Sequence, residues 1–168
     1  MDFLFDYISV TTFWTVLFTM HALLAVALLG ALTHQAIAVL APLRQGAATG
    51  GFVARYRRVQ GPAYAGAVCV LWILTFAFGG WIYTKYRIYV RIPIEQEGFY
   101  KTLGMFELKE HLAVIGLGML PIYWFFWKNA KNTEYDSARR WTTVVLAAMV
   151  WFMFLVGQVV NNVRGFGS

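Results

Sequence analysis

Four stretches of this sequence are almost free of charge, and they constrain the fold before any other feature does: 12–40, 62–82, 112–127 and 141–160. A helix rises about 1.5 Å per residue, so about 20 apolar residues cross a hydrocarbon core of about 30 Å. The first, second and fourth runs reach that length as they stand, and the third reaches it when its start is moved upstream. At 60% hydrophobic and 13% charged residues, the chain has too little polar surface to clothe a monomer in water. A soluble bundle with four buried helices would need further amphipathic helices to cover them, and none is left in the sequence. The expectation is an all-α integral membrane protein, a four-transmembrane-helix bundle with short connections. It forms a single domain over 1–168, with spans near 12–40, 62–88, 102–128 and 140–163.

The connections carry the charge. The first, 42–61, holds Arg44, Arg55, Arg57 and Arg58 and no acid. Beside a membrane, Arg55, Arg57 and Arg58 read as lipid headgroup contacts, so the net charge of +6 calls for no nucleic acid. With that loop inside, the inner segments carry eight Lys/Arg and the outer segments six. The positive-inside rule then places both termini outside, which is the periplasmic side of a bacterial inner membrane. Acids at Asp2 and Asp6 stand where a secretory signal would carry basic residues, so the first span is read as retained. The single Cys69 lies in an apolar run and reads as a packed thiol.

Helical rise converts sequence position into depth. Gly79 lies seventeen residues from Pro62, Gly157 seventeen from Arg140, His111 seventeen from Lys128 and His21 nineteen from Leu40. All four fall roughly 25–29 Å above the inner boundary. Two neutral imidazoles from different helices, with glycines that let a flat macrocycle approach, are a means of holding a b-type haem. His21 and His111 are therefore the expected iron ligands. Arg87, Arg91 and Lys109 are candidate partners for propionates, and Gly79 and Gly157 for the faces of the ring. His34 lies thirteen residues from His21, on the inner side. That spacing loosely resembles the two-haem helices of membrane cytochromes b, but no further histidine remains to pair with His34. The bland alternatives stay open, because glycines in membrane helices also serve packing alone and a histidine also serves to bond a backbone carbonyl.

Glu107, Lys109 and Glu110 form a charged group beside His111. It reads either as a partner contact, docking a periplasmic electron-transfer protein, or as orienting an imidazole or relaying a proton at a quinone pocket. Trp81, Tyr83, Tyr86, Trp124 and Trp127 suit a quinone ring or an interfacial aromatic belt equally well. Two functions follow. The first is a small membrane subunit of a respiratory or photosynthetic electron-transfer complex, carrying haem b and exchanging electrons with quinone or a partner subunit. The second is a cofactor-free structural or assembly subunit of a larger membrane complex. A transporter is disfavoured, because the spans show no series of charged pore residues.

Overall fold

A computed structural model describes residues 9–41 and 61–163. Four long helices account for nearly all of them: α1 (Val10–Leu40), α2 (Gly61–Tyr86), α4 (Tyr100–Lys128) and α5 (Asp136–Val163). All four are long and apolar enough to cross a membrane, so the chain is a multi-pass membrane protein with an all-α fold. Between α2 and α4 lie a π-helical turn (Arg87–Arg91) and the short α3 (Ile92–Gln96). Arg44, Arg55, Arg57 and Arg58 lie outside the described residues.

Local chemistry sets the helix ends. Ser9 caps α1, its hydroxyl accepting from the Thr12 amide at 3.1 Å, and α1 stops at Ala41, just before Pro42. The second rod runs further than its apolar pattern indicates. Without a break it continues through the π turn into α3, as one apolar span of 36 residues, Gly61–Gln96. It ends in a Schellman turn: the Phe99 amide donates to Ile94 O at 3.0 Å and the Gly98 amide to Glu95 O at 3.1 Å. Gly98 takes φ +77°, a conformation open to glycine and strained for other residues. That one residue turns the chain back into α4. Pro121 lies inside α4, which runs on through it.

Contacts between helices fix their directions. Bonds from His21 to Thr75 and from Tyr64 to Ala31 run α1 antiparallel to α2. Trp72 with Ala113, and Gly61 against Trp127, do the same for α2 and α4. Trp127 with Thr143, and Lys109 beside Gly157, do so for α4 and α5. Since α5 also packs on α1, the helices close a ring in chain order, alternately up and down.

Inside the ring are two separate apolar clusters. The larger one fills the middle and the half toward Gly61 and Lys128 with Leu28, Leu32, Val68, Trp72, Leu120, Tyr123, Leu146 and Val150 among others. The smaller one joins Tyr86, Val90, Ile94, Leu103, Val156 and Val160 at the opposite end, beside the Gly98 turn. In lipid, apolar transfer gives helices no reason to associate, so close packing and internal polar bonds hold such a bundle. Trp72 shows the closeness required. Its indole lies across α4 at Gly116, where a Cβ would stand 2.0 Å from Cζ2, while Nε1 donates to Ala113 O at 3.2 Å. Outward-facing Leu23, Val114 and Leu155 leave an apolar exterior for lipid.

Candidate functional site

Between the two apolar clusters the bundle carries a layer of different chemistry. Each long helix contributes one residue to it: His21 from α1, Gly79 from α2, Lys109 from α4 and Gly157 from α5. All four are half-buried, whereas the core residues above and below them are buried.

His21 is the best-defined member. Its Nδ1 lies 3.1 Å from Thr75 O on α2. A carbonyl only accepts, so Nδ1 carries the proton and Nε2 keeps its lone pair. No hydrogen bond occupies Nε2 among the described residues. A hydrogen bond from one ring nitrogen to a backbone carbonyl is the arrangement that orients an imidazole whose other nitrogen binds a metal or accepts a proton. Gly79 makes room for this ring, since a Cβ there would stand 3.0 Å from His21 Cε1. The depth argument thus placed Gly79 and His21 at one level, and they touch.

Lys109 is the charged member of the layer. The ammonium lies over the Phe106 ring, 4.7 Å from its centroid, and 4.0 Å from where a Cβ on Gly157 would stand. It is within electrostatic reach of His21 and of Glu110. Among the described residues it forms no ion pair and no hydrogen bond. The Phe106 ring has a second neighbour in Tyr86, stacked at 3.8 Å and 15°. The Tyr86 hydroxyl is buried without a hydrogen-bond partner among the described residues.

The other residues singled out from sequence are placed differently. His111 is exposed on α4, and its Nδ1 donates to Glu107 O of its own helix at 2.7 Å. It shares an outer face with exposed Leu108 and Ile115, whereas the inward position at that level belongs to Lys109. Within one bundle the layer therefore holds one inward imidazole, His21. Arg91 is committed to Glu107, Nη2 to Oε1 at 3.2 Å, in a pair exposed enough to contribute at most about 1 kcal/mol. Arg87 is exposed on the π turn, and Glu110 is half-buried between Lys109 and Arg91, feeling both charges. His34 sits toward the Gly61 end of the bundle, edge-on to Tyr64 and with Nδ1 3.4 Å from its hydroxyl. Arg55, Arg57 and Arg58 lie outside the described residues. No group of three or more His, Cys, Asp or Glu placed to hold a metal ion occurs among the described residues.

A second polar contact went unnoticed in the sequence. Gln35 and Tyr123 are both fully buried, and the Tyr123 hydroxyl donates to Gln35 Oε1 while Gln35 Nε2 has no partner among the described residues. The signal available was Gln35 itself, an amide in the middle of an apolar helix.

Compared with protein-family models, with curated proteins and with solved structures, the chain matches none.

Proposed function

We propose that this chain is a membrane subunit of a respiratory or photosynthetic electron-transfer complex, with a redox ligand lodged in the layer around His21. The observation that carries this reading is the inward imidazole. It lies at lipid depth, its proton fixed on Nδ1 by Thr75 O and the Nε2 lone pair left open. Polar side chains facing the interior of a membrane bundle are costly to keep there and mark ligand sites and proton paths. The layer suits two ligands: a haem b bound through Nε2, or a quinone accepting hydrogen bonds from Lys109. In this proposal the bilayer is a bacterial inner membrane with both termini in the periplasm. Other membrane subunits cover the apolar exterior, and a periplasmic electron-transfer partner meets the outer charges that include Glu107 and Glu110.

Purification from the native membrane in mild detergent tests the reading. The expected result is a co-purifying redox subunit, together with a bound chromophore or extractable quinone. A chain that emerges with neither is not an electron-transfer subunit. The second reading, a cofactor-free structural or assembly subunit, then takes its place. Two observations favour that alternative: His111 is turned outward, and the middle of the bundle is closed by Trp72 lying on Gly116.

A further inference from the structure

Among the described residues, the Lys109 ammonium and His21 Nε2, both in the layer between the two apolar clusters, have no hydrogen-bond partner, and they differ in kind. Lys109 presents an ammonium that only donates; His21 presents, at Nε2, a lone pair that only accepts while Nδ1 holds the proton. A ligand that satisfies both needs an oxygen that accepts from Lys109, and a hydroxyl hydrogen to give to His21 in its reduced form. It also needs to be apolar enough to enter from lipid. A Cβ built on Gly157 would meet only the Lys109 ammonium within 4 Å, whereas the space at Gly79 is taken by the His21 ring, whose Cε1 would stand 3.0 Å from a Cβ there. Apolar side chains close the layer above and below, through Leu103 and Val156 on one side and Leu28 and Trp72 on the other.

From this we infer that the layer lined by His21, Gly79, Lys109 and Gly157 binds the head group of a lipid-soluble quinone. Lys109 donates to a ring carbonyl, and His21 Nε2 receives the hydroxyl of the quinol. The assignment rests on the reading of this layer as the redox site, and it names the ligand class. A fatty-acid carboxylate would also take a bond from Lys109, but it would leave a second acceptor facing the acceptor on His21. A haem on Nε2 would fill the layer with its macrocycle and displace the quinone.

The test is equilibrium binding of decylubiquinone to the purified full-length chain in lipid nanodiscs, compared among wild type, Lys109→Met, His21→Leu and Lys128→Met. Lys128 lies at the far end of α4, over the Trp124 ring, and serves as the control. Loss of a hydrogen bond from a charged donor is expected to weaken binding at least about ten-fold in Lys109→Met. Lys128→Met is expected to bind like wild type. A wild-type chain that does not bind decylubiquinone overturns the assignment. So does binding as tight as wild type by both Lys109→Met and His21→Leu, palmitate binding that depends on Lys109 in place of quinone, or a Soret band lost in His21→Leu. Should either variant fail to fold by circular dichroism, photolabelling of wild type with an azidoquinone decides. Label on the segments around His21 and Lys109 supports the site, and label confined elsewhere overturns it. Quinone binding by a chain that has no redox partner in the native membrane leaves the site standing and removes the electron-transfer reading. A redox partner without quinone binding has the opposite meaning.

Discussion

Replacing Gly116 by alanine is expected to be the most damaging single-methyl change in this bundle. A Cβ there stands 2.0 Å from Trp72 Cζ2, 2.5 Å from Cη2 and 3.0 Å from Cε2. Carbon atoms rest at about 3.5–4.0 Å, so indole and helix must separate by about 1.5 Å. The indole has little freedom to yield: Trp72 is 2% exposed and is tethered through Nε1 to Ala113 O. Overpacking of this kind costs about 1–3 kcal/mol, and loss of the tether adds about 1 kcal/mol. The total is about 2–4 kcal/mol, a large share of the roughly 5–15 kcal/mol that holds a domain together. Gly118 supplies the control two residues away on the same helix, since a Cβ there meets nothing within 4 Å. Gly118→Ala is expected to be neutral, or stabilising by up to about 1 kcal/mol through helix propensity. Reversible unfolding in mixed detergent micelles, followed by circular dichroism, measures both. Adding Trp72→Leu to Gly116→Ala should recover at least about 1 kcal/mol relative to the sum of the single changes. If Gly116→Ala and Gly118→Ala are equally stable, the close approach of α2 to α4 argued above is wrong.

Three further outcomes follow from named contacts. Gly79→Ala places a Cβ 3.0 Å from His21 Cε1 and is expected to push the ring off Thr75 O, costing about 1 kcal/mol. The NMR signature of the His21 Nδ1 proton should shift in that variant and stay in place in Gly80→Ala, where a Cβ meets nothing within 4 Å. Tyr123→Phe leaves the buried Gln35 amide without either bond and is expected to destabilise by about 1–3 kcal/mol, whereas Gln35→Met combined with Tyr123→Phe should fall close to wild type in the same unfolding assay. Gly98→Ala forces φ +77° on a residue with a Cβ and is expected to cost about 1–2 kcal/mol, with faster amide exchange in Ile94–Phe99.

Depth was legible in the sequence and azimuth was not. Counting rise along apolar runs put His21, Gly79, His111 and Gly157 at one level, and in the fold His21 touches Gly79 while Gly157 lies beside Lys109. An error of two residues moves a side chain only about 3 Å along a helix but about 200° around it. That is the difference between His111, exposed on the outer face of α4, and Lys109, turned toward α5. A soluble helix announces its buried face by its apolar stripe, but α1, α2 and α4 are apolar nearly all round and carry no such mark. α5 is the exception, because its apolar and polar side chains segregate to different faces far more than those of the other three. Trp72 on Gly116 and Gln35 against Tyr123 were hidden for a further reason. Each joins residues on different helices, and the identity of a partner across a bundle is not written in either helix alone.

The turn at Gly98 also bears on the order in which the bundle comes together. Reversal within a single Schellman turn makes α2 and α4 a hairpin whose bonds are short-range along the chain. Arg91 and Glu107 are 16 residues apart, and Trp72 and Ala113 are 41. Bonds that join α1 to α4 and α5 span far more chain: Gln35 and Tyr123 are 88 apart, and Thr33 and Trp151 are 118, whereas α1 meets α2 over 33 residues, Ala31 to Tyr64. Closing long loops is the slower step. Helices adjacent in the chain are therefore the pairs able to pack first, and the buried Gln35 amide of α1 meets Tyr123 only when α4 has joined them.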